Sequence, residues 1–244
     1  MSNVYLLYIM YIETQTSHEF QVDNEPWTHI IQDDFLNASS FQLMKHLTTK
    51  FQSGEQILAN QAFVSKSSGE VSQSSEIFSN EEVINIFNTY EPKLLSQLKY
   101  LAPKKLKYYD YFELSLVKTP RNQEYPIHND IGRKLLSVVI FISPEKNEGT
   151  LLYKKGSKEI FKQIEWKPNR SFAFSRLENI TSHSYFANDE SDRFTLIINL
   201  ITSKPLRAIF SEKQLISKFV AIKFLIKRYK NIILSFLSKL KKKE

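Results

Sequence analysis

The sequence predicts a mostly β protein, a two-sheet jelly roll (double-stranded β-helix) with flanking helices, followed by a C-terminal basic amphipathic helix. Three observations carry that expectation. Between residues 111 and 201 the runs Tyr111 to Val117, Leu135 to Ile142, Thr150 to Tyr153, Glu159 to Ile164, Ser171 to Phe174 and Arg193 to Ile201 are short, rich in β-branched and aromatic residues, and separated by Pro, Gly or Asn turns. Evenly spaced strands of this kind close into a jelly roll whose mouth offers a concave pocket. Helix signals stand before and after this region. The length of 244 residues at 42% hydrophobic content supplies one sizeable core.

In chain order, Val4 to Ile12 is an apolar run too short to span a bilayer, with no basic residue before it. It reads as part of an N-terminal arm or strand over residues 1–25, ahead of a jelly-roll domain over 26–204. Asn37 to Ser40 supply capping residues for a helix from about Phe41 to Phe51. Residues 65–75 are Ser-rich and aperiodic, which predicts a mobile surface loop. Asn80 is the expected cap of a helix over Glu81 to Phe87, and Pro92 is expected to kink or divide it before Leu94 to Leu101 resumes. The strands named above follow.

Composition removes several classes of chemistry. With no cysteine there is no disulfide framework, no thiolate nucleophile and no Cys-type zinc site, so any metal must be held by His and carboxylates. The net charge of +7 is carried by the end of the chain. Residues 205–244 hold eleven Lys or Arg against two acids, a net of +9, which leaves residues 1–204 at −2. A mildly acidic domain is a poor match for a phosphate backbone, so no nucleic-acid partner is expected. The expected location is the cytoplasm.

The candidate site lies between Tyr125 and Leu200. In an extended segment His128 and Asp130, two apart, point the same way and can grip one ion together. His183 follows 53 residues after Asp130, far enough for intervening strands to return it to the first pair. Two imidazoles and one carboxylate make the facial triad that suits ferrous iron and leaves open positions opposite. Arg193 offers a planar fork for a carboxylate, and Thr195, on the same strand face, offers a hydroxyl. His18, His29 and His46 have no partner at ligand spacing and read as structural or exposed. Arg121, Tyr125, Arg133, Lys134 and Tyr153 are expected near the pocket mouth, and Trp166 as packing.

His-x-Asp, the distal His183 and Arg193-x-Thr195 resemble the signature of the 2-oxoglutarate and Fe(II)-dependent dioxygenases, the prolyl-hydroxylase-like branch in particular. Gly149-Thr150-Leu151-Leu152-Tyr153 resembles that family's Gly-Thr turn and strand, Pro168 to Ser175 its strand before the distal His, and Trp27 to Phe35 its opening strand. Asn169 stands where the family usually has Gly, and Asn is the next-best residue for a positive φ. Tyr185 stands where a small aliphatic is usual. The nucleic-acid demethylases of the superfamily carry a second Arg at the position of Asn199. The resemblance implies His128, Asp130 and His183 as catalytic iron ligands, Arg193 and Thr195 as the 2-oxoglutarate contacts, O2 as second cosubstrate and ascorbate as an accessory. It implies hydroxylation of a C–H bond in a small-molecule or peptide substrate, with 2-oxoglutarate converted to succinate and CO2.

Two further expectations stay open. One is a non-catalytic jelly-roll binding module whose working part is the tail. The other concerns that tail, read as a helix from about Phe210 to Leu240 with Leu215, Phe219, Ile222, Ile226, Ile233 and Leu240 on one side and most lysines on the other. Its apolar face suits peripheral contact with an anionic membrane, at the inner face if the protein is cytoplasmic, or packing on the barrel or on a second copy as a dimer.

Overall fold

β-Branched and aromatic runs that alternate with polar residues bury one face only when a second layer covers it. Here both faces are covered. The computed structural model describes residues 20–212 and Ile222. Its strands are β1 (Gln21–Asp23), β2 (His29–Gln32), β3 (Leu58–Ser65), β4 (Val71–Gln73), β5 (Tyr111–Thr119), β6 (Glu124–His128), β7 (Lys134–Ser143), β8 (Thr150–Tyr153), β9 (Ile160–Ile164), β10 (Ser171–Phe174), β11 (His183–Phe186) and β12 (Arg193–Ile201). The helices are α1 (Ala38–Thr48), α2 (Asn80–Leu101) and α3 (Pro205–Ser211), with a 3-10 helix over Pro103–Tyr108. An eight-stranded sheet runs β1-β2-β10-β7-β12-β5-β3-β4 and a four-stranded sheet runs β6-β11-β8-β9. All neighbours are antiparallel. This is the expected jelly roll.

The pleat of the large sheet divides its residues between two cores. Phe112, Leu114 and Leu116 of β5, Leu136, Val138 and Ile140 of β7 and Leu196, Ile198 and Leu200 of β12 pack with Met44 and Leu47 of α1 and Val83, Ile86, Tyr90, Leu94 and Leu98 of α2. On the opposite face Phe141, Phe172 and Phe174 pack with Trp27, Leu152, Ile164 and Ile180. The remaining residues of that second face, Glu113, Ser115 and Val117 of β5, Ser137 and Val139 of β7 and Thr195, Ile197 and Asn199 of β12, line a cavity between the sheets.

Local chemistry sets the helix starts. Asn37 caps α1, its Oδ1 accepting from Ser40 N at 2.8 Å. α2 is capped by Ser79 rather than the expected Asn80: Ser79 Oγ accepts from Glu82 N at 3.2 Å, and Glu82 Oε2 accepts from Ser79 N at 2.7 Å. Pro92 does not divide α2, which is one helix. Proline removes one i to i−4 bond, but Ile86 and Tyr90 before it and Leu94 and Leu98 after it hold one buried face against the sheet. The stretch 65–75, expected as a loop, contains β4, whose Val71 and Gln73 stand opposite Val64 and Ala62 of β3, a strand that sequence patterning did not reveal. β1 pairs with β2, so residues 21–23 belong to the sheet.

Two positions need their particular backbone. Asn169 has φ +64, the conformation its place in the sequence called for. Its side chain then closes on Leu36, accepting from the backbone N–H and donating to the carbonyl, each at 2.8 Å. A Cβ on Gly149 would lie 1.8 Å from the Ile164 carbonyl oxygen, so only glycine lets β8 begin this close to the end of β9.

α3 spans Pro205–Ser211 and ends at Glu212, whose ψ of 134° is extended, so Phe210, near which the tail helix is expected to start, lies in α3. α3 packs on the domain through buried Ala208 and Ile209. The rest of the expected amphipathic helix, Ile222 apart, lies outside the described residues, as does Val4 to Ile12.

Candidate metal centre

β6 and β11 are neighbours in the small sheet, and His183 stands directly opposite His128. That register brings together two imidazoles separated by 55 positions in the chain. Their ring centroids are 4.3 Å apart. Asp130, in the turn after β6, completes the set, and the ligand atoms of His128, Asp130 and His183 all lie within 4.8 Å of one another. Among the described residues no other group of His, Cys, Asp and Glu converges in this way.

The hydrogen bonds prepare both imidazoles to ligate. His128 Nδ1 faces the Pro126 carbonyl at 2.9 Å and His183 Nδ1 faces the Thr181 carbonyl at 3.1 Å. A carbonyl can only accept, so each Nδ1 carries a proton, which leaves Nε2 as the nitrogen that each neutral ring would offer a metal. Burial lowers the His183 pKa to about 4, against the partial opposition of Asp130, so this ring is neutral at physiological pH. Burial works to raise the Asp130 pKa, but the Lys134 and His183 charges and hydrogen bonds from Lys134 and Ser137 override it and hold the carboxyl at about 2. Lys134 Nζ donates to Oδ1 at 2.8 Å and Ser137 Oγ to Oδ2. Two imidazole nitrogens and an ionised carboxylate are a donor set that fits a divalent transition metal.

Arg193 lies in the same cavity and is fully buried. Its guanidinium is held by rings, with Tyr185 at 4.4 Å, Trp166 at 5.1 Å and Phe141 at 5.5 Å from Cζ. Nε donates weakly to the Glu148 carbonyl at 3.4 Å, and Nη1 and Nη2 have no partner. Burial lowers the Arg193 pKa to about 10, which leaves it cationic at neutral pH. A buried guanidinium with both terminal nitrogens unpaired is a strong receptor for a carboxylate. Thr195 lines the cavity beside it, and so does Thr150, whose buried hydroxyl also lacks a partner.

The cavity measures about 400 Å³. Tyr125, Arg133 and Lys134 line it, as expected, but Arg121 and Tyr153 do not. Arg121 lies beside Asn122 and Asp192 at a separate surface hollow, because the turn after β5 carries it away. Tyr153 is buried in the small sheet with its hydroxyl 2.7 Å from Ser184 Oγ. Tyr185 has a function that its sequence position did not reveal: it stacks on Tyr125 at 5.1 Å and covers Arg193. Trp166 combines packing, stacked on Phe141 at 4.6 Å, with a share in the cage around Arg193. His29 is buried with Nδ1 2.8 Å from the Trp27 carbonyl, His46 is exposed, and His18 lies outside the described residues. Glu113 and Gln61 of the cavity wall went unread in the sequence. The signal for Glu113 was one acidic residue inside an apolar strand. A larger, shallower hollow of about 920 Å³ is lined by Lys66, Lys104, Lys107 and Arg207 and offers no convergent ligand set.

The chain matches no protein-family model and no curated protein sequence. Solved structures match it in fold. It is similar to dioxygenase for auxin oxidation 1 from Arabidopsis thaliana, solved as a 2-oxoglutarate complex, at TM-score 0.53 and 11% identity over 83% of this chain and 90% of that one. It is also similar to IDO from Bacillus thuringiensis, at TM-score 0.50 and 12% identity over 79% of this chain and 94% of that one. At such identities the likeness establishes the fold.

Proposed function

We propose that this chain, whose jelly roll is the fold of 2-oxoglutarate and Fe(II)-dependent oxygenases, is itself a 2-oxoglutarate-dependent Fe(II) dioxygenase. It hydroxylates an unactivated C–H bond of a small-molecule or peptide substrate and converts 2-oxoglutarate to succinate and CO2. The supporting observation is that one cavity holds both the convergent set His128, Asp130 and His183 and the unpartnered Arg193 guanidinium.

Iron with 2-oxoglutarate and O2 supplies the oxidising chemistry. His128 and His183 hold the metal through Nε2, and Asp130 supplies the one anionic ligand. The Arg193 fork takes the remote carboxylate of 2-oxoglutarate, with Thr195 as an added donor. Tyr185, Trp166 and Phe141 keep water from that contact, which strengthens it. Ser137 and Lys134 orient the Asp130 carboxylate. Ascorbate is the expected accessory reductant.

The test is anaerobic addition of Fe(II) and 2-oxoglutarate, which should produce a weak visible charge-transfer band. His128→Ala and Asp130→Ala should each abolish the band and metal-dependent succinate formation. Full decarboxylation in those variants would overturn the assignment.

A further inference from the structure

The cavity contains a second polar group that neither the metal ligands nor the Arg193 anchor uses. Glu113 is 2% exposed and lines the cavity. Its carboxylate accepts from Gln61 Nε2 at 3.1 Å and from Asn199 Nδ2 at 3.0 Å. Strand register assembles the trio: Glu113 stands opposite Asn199 on β12 and Phe63 on β3, and Gln61 lies two residues from Phe63, on the same face.

What the trio lacks is a donor and a positive charge. A carboxylate has about four acceptor sites, and only two hydrogen bonds reach this one. Among the described residues no Lys or Arg forms an ion pair with Glu113: of the three cations that line the cavity, Lys134 pairs with Asp130, and neither Arg133 nor Arg193 pairs with Glu113. Because Asn199 directs Nδ2 at Glu113, its Oδ1 is left as an acceptor, and that atom is buried with no partner. Buried charges are held by counter-charges and buried acceptors by donors. Both requirements are met by one cationic nitrogen.

We propose that Glu113 and Asn199, steadied by Gln61, form the substrate-recognition subsite, and that the substrate carries an ammonium group that docks there. The inference rests on the oxygenase reading, which makes this cavity the place where substrate sits. Asn199 stands opposite Glu113 on one side and Ser137 on the other, and Ser137 donates to Asp130. A polar row therefore leads across β5, β12 and β7 to the metal ligand. The carbons next to the docked nitrogen lie in the same cavity as the triad.

The test uses the full chain, loaded anaerobically with Fe(II) and 2-oxoglutarate, with the charge-transfer band recorded first. Calorimetry then compares n-butylamine with n-butanol, and Nα-acetyl-lysine amide with Nα-acetyl-norleucine amide. The ammonium member of at least one pair should bind about tenfold or more tightly than its neutral partner, as a charge-assisted hydrogen bond requires. The first pair reports a free amine and the second a peptide side chain. Glu113→Gln should bring the members of the responding pair within about twofold of each other. The comparison on the unaltered chain needs no variant, so a misfolded Glu113→Gln does not blunt it. Equal binding within both pairs while the band is present overturns the subsite and leaves the oxygenase reading standing. An absent band in the unaltered chain overturns both.

Discussion

Arg176 Nε donates to the backbone carbonyl of Asp130 at 2.9 Å, which ties the carboxylate-bearing turn to a buried ion cluster. Arg176 Nη1 lies 3.3 Å from Glu212 Oε1, and Lys105 Nζ lies 2.9 Å from the same oxygen. Glu212 directly follows α3, and a Cβ on Gly132, in the turn after Asp130, would lie 2.7 Å from Ile209 Cδ1 of that helix. The start of the basic tail is therefore packed behind the candidate metal centre.

Glu212→Ala leaves Lys105 and Arg176 buried without this shared counter-charge. Burial already lowers the Lys105 pKa, with Glu212 opposing the shift. Breaking a buried pair from one side costs about 3–5 kcal/mol, so the urea unfolding midpoint should fall steeply. A variant within experimental error of the parent would show that the cluster contributes little to stability.

Truncation should divide the tail at Glu212. A chain ending at residue 212 should keep the parent's Fe(II) affinity, whereas one ending at residue 204 should lose thermal stability and bind Fe(II) more weakly. The parent's melting temperature in the shorter chain would rule out α3 as a brace. Sedimentation with anionic vesicles, comparing full-length protein with the 1–212 chain, separates a membrane anchor from a packing or dimerising segment.

Arg193→Lys keeps the charge but loses the two-pronged geometry and the ring stacking. It should raise the 2-oxoglutarate concentration needed for half-maximal decarboxylation by about tenfold to a hundredfold, with a smaller effect on the maximal rate. An unchanged requirement in Arg193→Ala would move the anchor elsewhere in the cavity.

The metal-free protein should lose stability as pH falls from about 6.5 to about 4. The folded-state pKa of His183 is about 4 against an ordinary 6.5. In that window the unfolded chain takes up a proton that the native ring refuses, so stability rises with pH across it and levels off above. Asp130 acts lower, where its depressed pKa contributes stability that is lost as pH falls from about 3.8 towards 2. Burial lowers the His29 pKa as well, so urea unfolding at stepped pH should show a slope to which both rings contribute, and His183→Asn should reduce it. An equal slope in the variant would assign the effect to another group.

Much of the architecture was legible because its signals are local. β8, β10 and β12 begin and end where alternation and turn residues placed them, and the Asn37 cap needs only its own neighbours. The candidate ligands could be chosen because His128 and Asp130 are two apart and His183 stands in family order, although β6 ends at His128 and Asp130 follows it outside the strand. β3 and β4 were missed because Leu58–Ser65 and Val71–Gln73 have weak patterns of their own and are held by pairing with each other and, for β3, with β5. α2 runs through Pro92 because buried contacts on both sides outweigh one lost hydrogen bond.

The alternation Phe112-Glu113-Leu114-Ser115-Leu116 identifies a strand with one apolar and one polar face, and the residues themselves carry that much. A two-residue period cannot say what the polar face meets, because the answer depends on a layer formed by distant segments. The small sheet covers that face, so Glu113, Asn199, Ser137 and Arg193 line a buried cavity instead of facing solvent. His183 reaches His128 through the same cause, the pairing of β11 with β6 across 55 positions of chain. Residue types and their order thus name the chemistry available, and the closure of one sheet over the other turns it into a site by removing water from its polar groups and leaving Arg193 and Asn199 with unpaired atoms.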